Sequence, residues 1–411
     1  MLGIIGLATS TACGPLDPVR EPDGAVIEWA HYGGDAGGTK YSRASLIDRR
    51  NVGQLQIAWT ARTGDAWVDI ADTSNGDERG RTARGALGSS DRRFETTPIM
   101  LNRTLYVSTP FNRVIALDPV TGSTRWTFDP KLDTSRFYPE GFTSRGVSVW
   151  RDTTMTTGAS CASTVFLATV DARLIALDAL RGTPCERFGN SGAVQLAQGA
   201  AVGGRDASSF ELSVTSPVAI LADAVIVGSA VRKRGGDSAA SGAVRAFDAR
   251  TGALRWSFDP IPRQPSDRAW SAWRPEDATS ALGANVWSVI SVDAERDLVF
   301  LPTASAVPNF YGGMRAGRND HANSIVAIQG STGALHWSFQ LVHHDLWDYD
   351  VAAQPVLATI RRAGQDVPAV IAGTKSGMIF VLHRETGVPL IPVVERPVPP
   401  SDVPGEQAWR T

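Results

Sequence analysis

The residues whose types suit chemistry are a histidine pair, one arginine and one tryptophan. His343 and His344 are adjacent, so on a strand their side chains point to opposite faces and cannot both reach one metal ion without a bend. We take His344 as the candidate active-site histidine, the alternative being that it caps a loop. Arg145 can offer parallel N–H donors to a carboxylate or carbonyl oxygen, the alternative being a surface salt bridge. Trp287 offers a flat, rigid ring for stacking, the alternative being one more tryptophan packed between repeats.

Composition excludes several classes of protein. The 411 residues are 43% hydrophobic and 20% charged, with a formal net charge of -2, which is a globular balance and not that of a disordered chain. A dedicated nucleic-acid binder would carry a basic excess, so no nucleic-acid partner is predicted. The 40 glycines, 24 prolines and 12 tryptophans indicate many turns joining short strands. With 3 cysteines and scattered histidines, the sequence has no zinc-ligand spacing.

The first residues resemble the end of a secretory signal. The apolar segment from Leu2 to Ala12 is shorter than the ~18 residues that span a bilayer, and it ends at Cys13. Residues 10–13 are similar to a lipoprotein cleavage box, whose cysteine would carry a lipid anchor. We therefore predict an exported, periplasmic, membrane-associated protein in which residues 1–24 are a signal remnant and linker. The alternative is an uninformative ragged start.

The other two cysteines, Cys161 and Cys185, flank a predicted strand pair. If Cys13 is lipidated they form an even pair, and a disulfide stapling the two strands would suit an oxidising compartment. Two buried free thiols are the alternative, and the sequence leaves both open.

An internal repeat of the form Ala-x-Asp-x-x-Thr-Gly-x-x-x-Trp is the most informative feature. In each copy a short β-rich run enters a tight turn that Asp caps and whose Gly takes a positive φ, and a strand carrying Trp follows. A Trp at a fixed place in each unit can bury its face against the neighbouring unit. We predict about four short antiparallel strands per unit. The copies lie at 116–126, 246–256 and 327–337, with degenerate copies at 176–188 and 381–387 and the end of an earlier unit at Trp59.

Repeated four-stranded sheets around an axis make a β-propeller. The constant Trp-to-Gly register favours this fold over an array of β-sandwiches. We therefore predict an all-β chain in which residues 25–411 form a single propeller domain. Ligands of propellers usually bind at one mouth, under long loops. The longest insertions between repeats are 64–93, 137–145, 260–283 and 307–323.

The repeat resembles that of the pyrroloquinoline-quinone (PQQ) dehydrogenase propellers, and longer segments strengthen the resemblance. From about residue 27 to the last residue, the chain is similar to membrane-associated quinoprotein dehydrogenases of the glucose and quinate type. The most distinctive segments are Trp29-Ala30-His31-Tyr32-Gly33-Gly34-Asp35, His343-His344-Asp345-Leu346-Trp347-Asp348-Tyr349-Asp350 and the proline-rich run 395–406.

The resemblance implies an eight-bladed propeller with PQQ on its axis and a divalent cation, usually Ca²⁺ (or Mg²⁺), polarising the quinone. It implies oxidation of the alcohol group of a sugar or cyclic polyol, in which a carboxylate removes the hydroxyl proton while hydride passes to the quinone and electrons leave to a membrane quinone. Arg145, Thr169, Trp287 and Lys375 match family positions that contact the cofactor, with Trp287 as the floor beneath it. An ordinary strand threonine and a solvated loop lysine are the alternatives for Thr169 and Lys375.

Three cationic residues depart from the acidic pattern of that family. Lys233 and Arg234 stand where relatives usually carry Asp-Asn near the metal, and Arg318 stands where they usually place the catalytic aspartate. Asp320 would share a strand face with Arg318 and is our candidate base in its place. Cations there would weaken Ca²⁺ binding by like-charge repulsion, so the metal ligands stay unassigned. The alternative function is a non-catalytic periplasmic propeller serving as a scaffold or binding lipoprotein.

The repeats account for about five to six blades, fewer than the eight of the family that the chain resembles. We therefore predict an incomplete propeller that is part of a longer protein. An open propeller exposes unpaired strand edges, so a folded, monomeric, protease-resistant chain of 411 residues would contradict this prediction.

Overall fold

The computed structural model describes most of the repeat region. Cys13 with segment 1–24, and the two cations Lys233 and Arg234, lie outside the described residues, as does most of the insertion 64–93. The described ranges are 27–65, 92–136, 138, 140–200, 211–231, 240–278 and 281–411.

These residues form a series of short strands with little helix. Helical turns of the 3-10 type lie at Val52–Gln54, Trp270–Ala272 and Gly312–Met314, and the short helix α1 is Pro275–Ala278. No helix in the described ranges is long and apolar enough to cross a membrane. In chain order the strands are β1 (Arg92–Phe94), β2 (Ile99–Leu101), β3 (Thr104–Ser108), β4 (Val114–Leu117), β5 (Thr124–Phe128), β6 (Phe142–Ser144), β7 (Ser148–Arg151), β8 (Ser163–Ala168), β9 (Arg173–Asp178), β10 (Ala193–Gln195), β11 (Leu212–Ser213), β12 (Ala219–Leu221), β13 (Ala224–Val227), β14 (Ala230–Val231), β15 (Val244–Asp248), β16 (Leu254–Phe258), β17 (Leu282–Gly283), β18 (Ser291–Asp293), β19 (Leu298–Pro302), β20 (Ala306–Val307), β21 (Ser324–Gln329), β22 (Leu335–Gln340), β23 (Val356–Arg362), β24 (Gln365–Gly373) and β25 (Ile379–His383).

The strands assemble into five consecutive sheets, which we call blades 1 to 5. Blade 1 is β2-β3-β4-β5, blade 2 is β7-β8-β9-β10, blade 3 is β12-β13-β15-β16, blade 4 is β18-β19-β21-β22 and blade 5 is β23-β24-β25. Neighbouring strands within a blade are antiparallel, and the pairs β1-β6, β11-β14 and β17-β20 form small extra sheets. The prediction of an all-β chain built from units of about four strands is confirmed.

The hydrophobic core consists of layers between adjacent blades. Phe166 and Leu174 of blade 2 pack in one buried cluster with Val225 of blade 3. Phe300 of blade 4 lies in another buried cluster with Val370 of blade 5. Because the middle strands have a neighbouring blade on each face, both of their faces are apolar, which explains the continuous hydrophobic runs in the repeats.

The repeat tryptophans pack on the turn glycines of the following blade. The indole of Trp256 donates from Nε1 to the carbonyl of Gly330 at 2.8 Å. A Cβ on Gly333, whose φ is +73°, would lie 2.7 Å from that indole, so only glycine permits the contact. The same contact joins Trp126 to Gly182, Trp337 to Gly387 and Trp59 to Gly122. The predicted packing of each tryptophan against the neighbouring unit is thereby confirmed.

Aspartates cap the repeat turns of blades 1 to 3, as the sequence predicts, whereas Gln329 and His383 stand at this position in blades 4 and 5. Asp118 Oδ1 accepts the backbone N–H groups of Val120 and Thr121, each at 3.0 Å. Asp248 Oδ1 accepts the N–H of Thr251 at 2.9 Å. These bonds hold each turn locally, so the strand that carries the tryptophan returns in the same register in each unit.

The first strand of each blade lies innermost, where hydroxyl groups join one blade to the next. Since every unit repeats one topology, the amino ends of these inner strands gather at one end of the axis. Segment 29–38 packs against the inner strands and bonds to Met100, Val292 and Leu357 of blades 1, 4 and 5. The joining bonds run from Ser148 Oγ to the Val218 carbonyl, from Ser216 Oγ to the Trp287 carbonyl and from Ser288 Oγ to the Ala352 carbonyl, each at 2.6 Å.

Cys161 and Cys185 form a disulfide with a sequence separation of 24 residues. The bond ties the loop before β8 to the segment after β9, which is the predicted staple of this strand pair. Of the two alternatives that the sequence leaves open, the disulfide is therefore the one observed.

Removing this disulfide is expected to destabilise blade 2. Cross-linking a loop of this length reduces the entropy of the unfolded chain by an amount equivalent to roughly 3 kcal/mol. We expect the double variant Cys161→Ala/Cys185→Ala to unfold at a lower urea concentration, with a somewhat larger m value because the unlinked chain exposes more surface when it unfolds. Wild-type protein treated with dithiothreitol is the matched control and should shift equally. An unchanged midpoint in both samples would contradict the prediction.

Candidate functional site

The candidate side chains gather where the inner strands begin. Arg145 precedes β7, Trp287 precedes β18 and Asp350 precedes β23. Lys375 lies in the turn between β24 and β25 of blade 5. Residues that are far apart in sequence therefore meet at one end of the axis.

A planar cation lies over an aromatic ring at this end. The Arg145 Cζ atom is 5.1 Å from the centroid of the Trp287 ring. Arg145 Nη1 donates to Thr215 Oγ1 at 2.6 Å, and Nη2 pairs with Glu95 Oε2 at 2.8 Å. These bonds fix the guanidinium, while its stacking on the indole adds a cation–π attraction.

The Trp287 ring is itself held by its edge. Its Nε1 donates to Asp350 Oδ2 at 3.0 Å, and its backbone carbonyl accepts the Ser216 hydroxyl. Asp350 is only 1% exposed, and its Oδ1 accepts the Ser305 N–H at 2.7 Å. A buried carboxylate with donors on both oxygens thus locks the plane of the indole.

Lys375 brings an ammonium group to the same carboxylate. Its Nζ donates to the Asp348 carbonyl at 2.7 Å and lies 3.3 Å from Asp348 Oδ2 and 3.4 Å from Asp350 Oδ2. The Lys375 side chain remains 33% exposed. The lysine is therefore shared between two carboxylates and is also accessible to a ligand.

Asp348 is a carboxylate that sequence reasoning missed. Its Oδ1 accepts the side-chain amide of Asn309 at 2.6 Å, and its backbone φ is +60°. A left-handed aspartate held by tertiary contacts stores strain of a kind that clusters at functional sites. The available signal was its place, with Asp350, in the distinctive segment 343–350.

Asp320 lies in a different setting. Its carboxylate forms a bidentate ion pair with Arg318 at 2.5 and 2.7 Å. A face shared with Arg318 requires a strand, but Asn319 and His321 have positive φ values and this segment turns before β21 begins. No contact recorded among the described residues links Asp320 to Trp287. Its role as the base stays a prediction.

The two adjacent histidines have different partners, although they lie in a turn and not on a strand. His343 Nε2 lies 3.1 Å from Glu395 Oε1, whereas buried His344 bonds through Nδ1 to Asn319 Oδ1 at 2.9 Å. Because Asn319 Oδ1 also accepts from Arg315, the His344 Nδ1 must carry the hydrogen. Burial, and then the Arg315 charge, lower the pKa of His344, so the ring is neutral at pH 7. His344 thus supports the loop, and its catalytic role stays a prediction.

Thr169 is buried in a turn. Its hydroxyl bonds to the Asp171 carboxylate and to the Arg173 carbonyl. The backbone N–H of Arg173 in turn donates to this hydroxyl at 3.1 Å. The hydroxyl group is therefore engaged within its own turn, and its predicted contact with a cofactor carboxylate stays untested.

Consecutive antiparallel blades of three or four strands define the β-propeller fold. Residues 29–411 match the family described as PQQ: Glucose/ethanol/alcohol dehydrogenase, beta-propeller domain, and the chain belongs to this family. The predicted resemblance to PQQ-dependent dehydrogenases is confirmed.

The chain has relatives among several quinoprotein dehydrogenases. It is 35% identical over 405 residues to quinoprotein glucose dehydrogenase A of Acinetobacter calcoaceticus, covering 94% of this chain and 47% of that protein. It is 33% identical over 414 residues to quinate/shikimate dehydrogenase (quinone) of Acinetobacter baylyi, covering 97% and 47%. The crystal structure of quinohemoprotein alcohol dehydrogenase from Comamonas testosteroni matches with a TM-score of 0.71 at 26% identity, covering 94% and 52%. The chain spans about half the length of the relatives that it matches.

The carboxylates near the site accept hydrogen bonds from neighbouring protein groups. Asp345 accepts the Tyr349 N–H at 2.7 Å and the Asn323 amide at 3.0 Å, and Asp350 accepts from Trp287. In the described part of the chain, no three His, Cys, Asp or Glu side chains are grouped so that they could hold a metal ion. We therefore assign no metal ligands and derive no step through a metal.

Calcium is expected to leave the thermal stability of the cofactor-free protein unchanged. A cation that bound only the folded state at 100 times its Kd would stabilise it by about 2.7 kcal/mol, whereas no three His, Cys, Asp or Glu side chains in the described ranges are grouped to hold one. We would melt chelator-treated protein with and without millimolar calcium, with equal ionic strength of sodium as the control. A melting temperature that rises and saturates with calcium would overturn the expectation.

Proposed function

We propose that this chain carries the PQQ site of a dehydrogenase that oxidises the alcohol group of a sugar or cyclic polyol and passes electrons to a membrane quinone. The observation that carries the proposal is the fixed Trp287 ring, with Arg145 over it and Lys375 on the carboxylate that orients it. The similarity to quinoprotein glucose and quinate/shikimate dehydrogenases supports the substrate class.

The residues at the site fit a planar, acidic cofactor. PQQ is a flat aromatic tricarboxylate, and Trp287 offers a ring to stack on it while Arg145 and Lys375 offer charge-assisted donors. Ser229 supplies an independent sign of a missing partner, because its buried hydroxyl has no hydrogen-bond partner among the described residues. It lines a small cavity together with Thr215 and Trp287. A cofactor oxygen in this cavity would satisfy that hydroxyl.

The protein groups then have distinct tasks in the reaction. When bound, PQQ supplies a two-electron acceptor for the hydride that leaves the alcohol carbon. The Asp348 carboxylate removes the hydroxyl proton, because it is a carboxylate that borders the accessible ammonium of Lys375. Lys375 holds the two carboxylates in place and keeps positive charge beside the developing negative charge on oxygen. Asp350 does not exchange protons, since its side chain is only 1% exposed and its oxygens accept from Trp287 and Ser305, whereas the Asp348 side chain is 19% exposed.

We also propose that the protein works in the periplasm and is associated with the membrane. The Cys161–Cys185 disulfide supports export, because such bonds persist in oxidising compartments. A lipid anchor on Cys13 would supply the membrane association, and mass spectrometry of the membrane fraction would detect it. An unmodified Cys13 in a reducing compartment would contradict this part of the proposal.

Reconstitution tests the proposed function. Exported protein is titrated with PQQ while its tryptophan fluorescence is followed, and dye reduction is then measured with glucose, quinate and glycerol. Because these variants remove a fluorophore, their PQQ binding is measured by equilibrium dialysis; we expect Trp287→Phe to retain it and Trp287→Ala to lose it, with Trp126→Phe as a control for a tryptophan packed between blades. Dye reduction should require both PQQ and an alcohol. Binding of PQQ without any oxidation, or no binding at all, would favour the non-catalytic scaffold instead.

A further inference from the structure

Arg315 is a fully buried arginine that joins three segments of the loop region beside the site. The residue is 1% exposed. Its Nε donates to the Pro308 carbonyl at 2.9 Å and its Nη1 donates to Asn319 Oδ1 at 3.0 Å. Its Nη2 donates to the backbone carbonyl of Asp345. One side chain therefore ties the turn at Pro308 and the turn at Asn319 to the segment that begins with Asp345.

Burial of this guanidinium disfavours its protonated, charged form. Burial lowers the pKa of Arg315 to about 10, while the nearby Asp345 and Glu406 charges act in the opposite direction. The group is still protonated at pH 7. Removing a cation from water is costly. If the side chain at position 315 only filled space in the core, an apolar residue would stabilise the fold more than arginine does.

The Asp345 side chain fixes the backbone on both sides of Asp348. Its Oδ1 accepts the Trp347 N–H at 3.0 Å and its Oδ2 accepts the Tyr349 N–H at 2.7 Å. These bonds fix the residues on both sides of Asp348, whose backbone is left-handed. A displacement of Asp345 would therefore move the Asp348 carboxylate relative to Lys375.

We propose that Arg315 is a positioning residue that sets the Asp348 carboxylate against the Lys375 ammonium by holding the main chain of Asp345. The inference deepens the proposed function, because it concerns the same proton-accepting group. In the protein without cofactor, the contact between Lys375 and Asp348 is likewise expected to depend on Arg315.

Arg245 provides a matched control on another blade. It is buried, its pKa is also lowered by burial to about 10, and it donates to the Gln198 carbonyl at 3.0 Å and to the Leu196 carbonyl. Loss of its charge should destabilise the fold without moving segment 343–350. The variants are Arg315→Met, Arg315→Lys and Arg245→Met, each compared with wild type by thermal melting.

Lysine acetylation measures how accessible Lys375 is, and therefore whether it contacts Asp348, in protein without cofactor. The chain has four lysines, at 40, 131, 233 and 375, so mass spectrometry can follow each site separately. We expect Arg315→Met to raise the rate of Lys375 acetylation several-fold relative to Lys131, which pairs only locally with Asp129. Arg245→Met should leave this ratio at the wild-type value, and Arg315→Lys should fall between the two.

The PQQ-loaded protein gives the second readout. Misplacement of a reacting group by about 1 Å can cost on the order of 100-fold in rate. We expect Arg315→Met to lower kcat by about 10- to 100-fold with little change in KM, and Arg245→Met to leave both unchanged at temperatures where it is folded. Arg315→Lys should recover part of the rate.

The outcomes separate this inference from the proposed function. If Arg315→Met changes neither Lys375 acetylation nor kcat beyond what Arg245→Met does, Arg315 is only structural and the inference is overturned. If Arg315→Met is unfolded, Arg315→Lys is compared with wild type in its place. A wild-type Lys375 acetylation ratio and a wild-type kcat in Arg315→Lys would then overturn the inference. If wild type oxidises no alcohol but acetylation still depends on Arg315, the proposed function fails while the positioning of Lys375 stands.

Discussion

Replacing Asp348 by asparagine is expected to lower kcat by about 10²- to 10⁴-fold, the range typical of a lost general base. Asparagine has the same size but only one acceptor oxygen, so it keeps either the Asn309 or the Lys375 hydrogen bond and places an NH2 group at the other position. The change therefore removes the proton acceptor and one side-chain contact, while the bond from Lys375 to the Asp348 backbone carbonyl remains. PQQ affinity, measured by fluorescence titration, should stay close to that of wild type.

Two further variants decide between the candidate bases. Asp320→Asn tests the base suggested by the sequence, and Asp366→Asn is a matched control at an exposed ion pair with Arg361. We expect both variants to retain wild-type kcat. If Asp320→Asn loses activity and Asp348→Asn does not, Asp320 is the base and the assignment of Asp348 is wrong.

Replacing Lys375 by methionine is expected to weaken PQQ binding by about 10- to 100-fold, which corresponds to roughly 1.4 to 2.8 kcal/mol. The variant removes a charge-assisted donor for an acidic cofactor and leaves Asp348 and Asp350 facing each other without a cation. Like-charge repulsion between the two carboxylates would add to the loss. Equilibrium titration of the cofactor-free variant measures the effect directly.

A double-mutant cycle checks the physical reason for this loss. If repulsion contributes, Asp348→Asn should restore part of the affinity in the Lys375→Met background, although it has little effect alone. Lys131→Met is the matched control, because Lys131 forms an exposed pair with Asp129 far along the chain from these residues. Equal losses in Lys131→Met and Lys375→Met would show that the site does not use Lys375.

The blades could be predicted from the sequence because their causes are local and repeated. A capped turn needs an aspartate and a glycine within five residues, as at Asp118 and Gly122. The tryptophan then falls at a constant distance from that glycine, and its packing on the next unit follows from the repeat itself. The family resemblance led to Arg145, Trp287 and Lys375, and the structure brings these three together at the axis.

Local reasoning failed where a segment does not follow a regular period. Asp320 was placed on a strand face, yet positive φ values at Asn319 and His321 turn that segment. Asp348 was missed for the same reason. Its left-handed backbone breaks the alternation of side chains between the two faces of a strand, which is the pattern that assigns a residue to a face.

The sequence by itself determined the kind of unit, its turn chemistry and the pair of cysteines available for a disulfide, since each depends on residues close together in the chain. Only the tertiary structure decided which groups share a site. The bond from Trp287 to Asp350 spans 63 residues, and that from Arg145 to Thr215 spans 70. Such pairs meet because successive blades pack face to face and bring the amino ends of their inner strands to one end of the axis, an arrangement that no single repeat encodes.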